Sequence, residues 1–259
     1  MLKIAIVGKG GVGKTTIAGT LARLLAKEGF NVLAIDADPS LNLASAIGIP
    51  KEIADRAPIL FNEEEFIKSR TQLFGGIINL TPKVDDVVDK FGITGPDGVK
   101  LLMLGTVKKG GTRCLCPENA FLRALLAHLI LQRKDIVILD MVAGLEHLGR
   151  GTARGVDLML CIVEPSIKAV EVAKRMHKLA MDIEVRNFAI IANKISSDED
   201  KSFIMKHLSN MEILGFIPFD VSVMKADMYG KALIDYDPSS KALYSIIEIK
   251  DKILRGYMK

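Results

Sequence analysis

A mainly parallel α/β sheet with helices on both faces is the fold this sequence predicts, and three observations predict it. Apolar runs of strand length recur along the chain, most of them separated by helical patterns, which is the rhythm of a sheet covered on both sides. The first run passes through a glycine-rich loop straight into a helix. The sequence motifs then fall at the carboxyl ends of strands, where ligands sit in such sheets.

Leu2–Val7 reads as a short buried strand, and Thr16–Glu28, with Ile17, Leu21, Leu24 and Leu25, as a helix of 3.6 period. Asn31–Asp36 is a second buried strand. The span from Pro50 to Gly111 is the least regular: a charged helical pattern at Asn62–Ser69, then Pro82, Gly92, Gly95-Pro96 and Gly98, then a strand at Val99–Leu104. Further strands are expected at Ile136–Asp140, Leu158–Val163, Phe188–Asn193 and Ile213–Ile217. Helices are expected at Pro117–Leu131, Ile167–Ala180, Glu199–Leu208 and Ser239–Leu254. No repeat or linker interrupts this series, so the expectation is a single domain over residues 1–259.

At 259 residues and 49% hydrophobic content the chain can bury one large core. Its 35 basic and 31 acidic residues give a mixed surface that calls for neither nucleic acid nor anionic lipid. No apolar run approaches a membrane span. The absence of Trp argues against base-stacking platforms. Three cysteines without a signal peptide fit a reducing cytoplasm, where thiols serve metals or chemistry.

Gly8-Lys9-Gly10-Gly11-Val12-Gly13-Lys14-Thr15-Thr16 satisfies G-x-x-x-x-G-K-[ST], the pattern of a loop that wraps backbone N–H groups around phosphates. In that reading Lys14 reaches the β- and γ-phosphates of ATP and the Thr15 hydroxyl holds Mg²⁺. A dinucleotide loop would leave Lys14-Thr15 unexplained. Lys9 is one lysine more than such a loop needs, and it has a use if it points toward a nucleotide bound by another copy.

Asp36-Ala37-Asp38-Pro39 closes the second strand. It is either an acidic turn or a switch near Mg²⁺, with Asp38 positioning the attacking water and Asp36 in support. Ile136–Asp140 is a Walker B pattern whose Asp140 holds a water of the Mg²⁺ shell. The glycine-containing stretch from Val142 to Gly151 reads as a second switch, in which His147 is as readily a packing residue as a chemical one. Asn193-Lys194 and Pro218-Phe219-Asp220 follow successive strands. They are plain turns or the two sides of an adenine pocket, and their joint placement favours the pocket.

Lys9-Gly10-Gly11-Val12-Gly13-Lys14-Thr15-Thr16, Asp38-Pro39, Asp140 and Asn193-Lys194 together resemble the deviant Walker A ATPases, the class of nitrogenase iron protein, MinD and ParA. The resemblance implies a P-loop NTPase fold of SIMIBI type, Mg²⁺-dependent hydrolysis of ATP to ADP, and a homodimer in which Lys9 crosses to the partner's nucleotide.

Cys114-Leu115-Cys116 follows Lys108-Lys109-Gly110-Gly111-Thr112-Arg113. Spacing alone leaves two half-buried thiols and a metal site equally open. One chain offers two thiolates, whereas a symmetric dimer offers the four of a closed site for Zn²⁺, Ni²⁺ or an iron–sulfur cluster. After Asp140 the next cysteine is Cys161, inside an apolar strand, which disfavours an iron-protein-like reductase. The cysteine segment with Asp140–Thr152 closely resembles the CooC-type accessory ATPases, although Val142 is bulkier than the Gly or Glu expected there. That likeness implies an interface site for Ni²⁺ or Zn²⁺ on Cys114 and Cys116, with carbon monoxide dehydrogenase as the client for nickel. A MinD- or ParA-type positioning or partitioning switch is the alternative. It needs a C-terminal amphipathic anchor or a clustered basic surface, and Leu243, Ile246, Ile247, Ile253 and Leu254 read instead as a last packed helix.

Overall fold

The computed structural model describes residues 2–72, 79–105, 116–131, 136–141 and 155–258, the side chains of 116–119 and 130–131 excepted. Its strands are β1 (Lys3–Val7), β2 (Val32–Ala37), β3 (Ile93–Thr94), β4 (Lys100–Met103), β5 (Ile136–Met141), β6 (Leu158–Val163), β7 (Phe188–Ile195) and β8 (Glu212–Pro218). Among the described residues they form one sheet in the order β3-β4-β2-β5-β1-β6-β7-β8. Every pairing is parallel except β3 with β4.

Helices α1 (Lys14–Lys27), α2 (Leu43–Ile47), α3 (Lys51–Ala54), α4 (Glu64–Thr71), α5 (Val87–Phe91) and α6 (Cys116–Leu131) occupy the first half. They are followed by α7 (Ile167–Asp182), α8 (Asp198–His207), α9 (Val221–Met228), α10 (Leu233–Tyr236) and α11 (Lys241–Tyr257). Alternation along each strand splits the core between the two faces. Val7, Ile35, Leu139, Cys161 and Ile190 pack with Phe121, Leu125 and Ala173 on one face. Ile4, Ile6, Ala34, Ile138 and Leu160 pack with Ile17, Leu21, Leu243 and Ile246 on the other. Both faces are covered, which is why the central strands read as nearly continuous apolar runs, with Asp36 and Asp140 breaking the pattern near their carboxyl ends.

The antiparallel edge strand β3 is a departure from the sequence reading. Two residues are too few to show a period, and Gly92 and Gly95 on either side mask them. Strand β7 also runs past its expected end at Asn193 to Ile195, with a register shift against β8 between Ala192 and Ile195. In α11, Leu243, Ile246, Ile249 and Ile253 are buried, so its apolar stripe is already covered by the core. No helix among the described residues is long and apolar enough to cross a membrane.

Candidate functional site

The parallel order brings the carboxyl ends of β1, β2, β5, β6, β7 and β8 to one edge. The loop from Gly8 to Gly13 stands at its centre, after β1. Gly8 has φ +142, and a Cβ there would lie 2.4 Å from the Ile162 carbonyl oxygen of the neighbouring strand. Gly13 has φ +96, and a Cβ there would meet the Asn193 amide at 2.5 Å. Gly13 is also the N-cap of α1, with no side-chain cap on the first turn. An uncapped helix start carries orphan N–H groups and positive dipole, the arrangement that suits a phosphate. Lys14 is buried, and its ammonium donates to the Lys9 carbonyl at 3.3 Å.

Two carboxylates stand buried together beside this loop. Asp36 and Asp140 are register partners on adjacent strands β2 and β5, and neither has any exposed surface. Asp36 accepts N–H bonds from Leu43 at 2.9 Å and Asp38 at 3.1 Å, which fixes the turn after β2. Burial raises the Asp36 carboxyl to about 7, with the Asp140 charge adding to it against those N–H bonds. Burial also raises Asp140 to about 6, opposed by the Thr15 hydroxyl and the Lys14 charge. Beyond that Thr15 hydroxyl, no hydrogen-bond partner meets the buried Asp140 oxygens among the described residues. Oxygens so sparsely partnered, next to Thr15 and a phosphate loop, fit a hydrated divalent cation such as Mg²⁺. Asp38 is engaged locally, accepting from the Ser40 N–H at 2.9 Å and the Ser40 hydroxyl at 2.6 Å.

Lys9 does not project freely from the loop. Its ammonium lies 2.9 Å from Glu164 Oε1, while Lys194 lies 3.3 Å from Glu164 Oε2. Glu164 directly follows β6. Burial pushes its carboxyl up, but the hydrogen bonds and charges of Lys9 and Lys194 more than reverse this and hold it below the usual range. Sequence reasoning missed this residue. The available signal was a carboxylate directly after an apolar strand and ahead of Pro165, much as Asp36 and Asp140 close apolar runs of their own.

The β7 irregularity explains where Asn193 and Lys194 point. A bulge re-aims side chains, and Lys194 takes the left-handed region at φ 60. Asn193 Nδ2 then donates to the Val12 carbonyl at 2.7 Å, and Lys194 Nζ to the Gly11 carbonyl at 2.7 Å. Holding the loop by its carbonyls fits a loop whose N–H groups serve phosphate oxygens.

Beside Thr16 and Asn193 opens a mainly apolar pocket formed by Ile17, Ile217, Pro218, Phe219, Val223 and Met224, with empty space of about 480 Å³ including its mouth. It suits a flat heteroaromatic ring. Lys194 and Asp220 also border it. The Asp220 carboxylate, however, is spent on structure. It caps α9 through the Ser222 N–H at 2.8 Å and ties down α11 through the Ser240 hydroxyl at 2.7 Å and the Ala242 N–H at 3.2 Å. Burial pushes Asp220 up, and these donors bring it net below its ordinary range.

Cys114, His147 and the rest of the second-switch segment from Val142 to Thr152 lie outside the described residues, as does the side chain of Cys116 at the start of α6. Cys161 is buried, and burial pushes its thiol up to about 12. Among the described residues no three His, Cys, Asp or Glu side chains are gathered for a metal ion.

Comparison with known proteins places this geometry among relatives. The profile of the CobQ/CobB/MinD/ParA nucleotide-binding domain matches residues 3–234. An uncharacterized ATP-binding protein of Methanocaldococcus jannaschii is 44% identical over 261 residues, covering 98% of each chain. The carbon monoxide dehydrogenase accessory protein CooC of Rhodospirillum rubrum is 42% identical over 243 residues, covering 93% of this chain and 92% of its own. Among solved structures, a chain of the MinC:MinD cell division protein complex of Aquifex aeolicus aligns with a TM-score of 0.69 at 21% identity, covering 100% of this chain and 98% of that one. At that identity the likeness concerns the fold, a P-loop NTPase sheet.

Proposed function

The chain belongs to the CobQ/CobB/MinD/ParA nucleotide-binding family and is an ATPase, and from that premise we propose that it is a homodimeric maturation ATPase. ATP binding and hydrolysis open and close a Cys114/Cys116 site for Ni²⁺ or Zn²⁺ between the subunits, and the metal passes to a carbon monoxide dehydrogenase. The observation that carries this reading is the 42% identity, across nearly the whole chain, to a carbon monoxide dehydrogenase accessory protein. The Cys-Leu-Cys segment supports it by supplying soft donors, two per subunit, for a four-thiolate site.

The chemistry assigned to the nucleotide edge is positioning and charge stabilisation. The loop from Gly10 to Thr16 cradles the phosphates, and Lys14 neutralises the transferring group. Thr15, and Asp140 through a water, would hold Mg²⁺, which would supply charge neutralisation for the phosphates. Asp38 orients the attacking water, with Asp36 fixing its turn. Asn193, Lys194 and Pro218 border the base, with Asp220 bracing the wall behind it. Lys9 serves the nucleotide of the second subunit.

Anaerobic titration of the purified dimer with Ni²⁺ or Zn²⁺ tests the reading. Saturation near one ion per dimer is expected, with loss of binding in the Cys114→Ser/Cys116→Ser variant. Unchanged binding in that variant would remove the metal site from the proposal and leave a switch of MinD or ParA type.

A further inference from the structure

We propose that Glu164 is a positioning residue that tethers Lys9 to its own subunit and thereby sets when this lysine becomes available to a second subunit's nucleotide; the second half rests on the dimer reading above. The geometry is specific. One carboxylate oxygen meets Lys9 at 2.9 Å and the other meets Lys194 at 3.3 Å, while Lys194 also holds the Gly11 carbonyl at 2.7 Å. The two lysines therefore share one anion across the outside of the loop.

The anion is the fixed member of this group. Val163, just before Glu164, is registered on β7 at Ala192, two residues short of Lys194. Cys161 is registered on Val7, at the root of the loop. The Glu164 carbonyl accepts from the Ser166 N–H at 2.7 Å, and Ser166 in turn caps α7. Backbone on both sides of Glu164 is thus anchored, whereas Lys9 has a long stem on a glycine-flanked loop and a side chain 35% exposed. An ion pair this open to water is weak. The phosphates of a second subunit's ATP carry more negative charge than one carboxylate and can draw Lys9 away. Lys194, with its second bond to Gly11, stays behind on Glu164. The contact therefore keeps Lys9 at home without ATP, yet yields when two loaded subunits meet.

Lysine acylation of the nucleotide-free protein, read by mass spectrometry, tests the tether directly. Glu164→Gln is expected to speed labelling of Lys9 by about two- to fivefold, the scale of an exposed ion pair, with Lys178 on α7 unchanged as a control. Glu164→Asp, which keeps the charge, should restore much of the protection. An unchanged Lys9 rate in Glu164→Gln overturns the proposal. For the second half, sedimentation with ATP should show Glu164→Gln dimerising at a protein concentration lower by a similar factor. The same shift in a Lys9→Ala background would show that Glu164 does not act through Lys9, and would overturn it. Failure of the unsubstituted protein to dimerise with ATP would instead sink the dimer reading and with it this second half, while the labelling result still decides the tether.

Discussion

Asp36 and Asp140 at the ends of β2 and β5 stand on the same sheet edge as Glu164 at the end of β6, yet their electrostatic states are opposite. The first two are buried side by side, and their carboxyls are raised to about 7 and about 6. Glu164 is partly exposed, holds two lysines, and is lowered. Desolvation raises all three; the two lysines hydrogen-bonded to Glu164 outweigh it, whereas the Lys14 charge and the Thr15 hydroxyl offset it only in part at Asp140. A carboxylate buried with only partial compensation of its charge is costly to the fold, and a cation binding there would offset that cost. A carboxylate already holding its cations is a tether. The comparison therefore separates a site that waits for a ligand from one that restrains a neighbour.

The sharpest way to break this distinction is Asp140→Asn. If the two Asp140 oxygens await Mg²⁺, phosphate release should fall about 10–100-fold, the scale seen when outer-shell partners of a metal are lost. The nucleotide-free protein should meanwhile keep or raise its melting temperature, because a buried unpaired charge has been removed. A variant that loses stability and keeps its activity would show that Asp140 is structural.

Asp36→Asn probes the same pair through pH. An Asp whose folded pKa is near 7 and whose unfolded value is near 4 binds its proton more tightly in the native state. Between those values the native state holds more protons, so stability falls as pH rises from about 4 to about 7. Melting curves across that window should show this decline in the unsubstituted protein, about 4 kcal/mol at most, and a flatter profile in Asp36→Asn. Equal slopes would mean that the pair is not protonated as its burial requires.

The smallest effect is expected at Asp220, which shares the edge but is saturated by hydrogen-bond donors rather than by lysines. Asp220→Ala should cost about 1 kcal/mol through the lost cap, or about 2–4 °C in a chain of this size. Nucleotide affinity should drop only as far as the pocket wall formed by α9 loosens. A loss of binding without a change in melting temperature would assign Asp220 to the base itself.

Most of the fold was legible because each parallel strand is covered on both faces, so its apolar run stands out from its neighbours. The phosphate loop was legible because its glycines and Lys14-Thr15 sit in one local segment. The edge strand β3 was not, since two residues carry no period. Lys194 borders the pocket as its place near the end of β7 suggests, but that its ammonium holds the Gly11 carbonyl was not legible, because a bulge and a left-handed backbone aim it there. Asp220 borders the pocket, while the commitment of its oxygens to α9 and α11 could not be seen from a turn motif alone.

What the sequence determined by itself is therefore everything set by short-range pattern: the alternation of strands and helices, the phosphate loop, and the Asp at the end of the β5 run. What only the tertiary structure decided is which strand ends become neighbours. Strand order is a long-range choice, fixed by the packing of helices over two faces. It places β6 between β1 and β7, so Glu164 meets Lys9 and Lys194 although 155 and 30 residues separate them in the chain. The same choice pairs β2 with β5 and sets Asp36 against Asp140. No local period in the sequence carries that information, because charge pairing at a sheet edge depends on topology rather than on the residues next door.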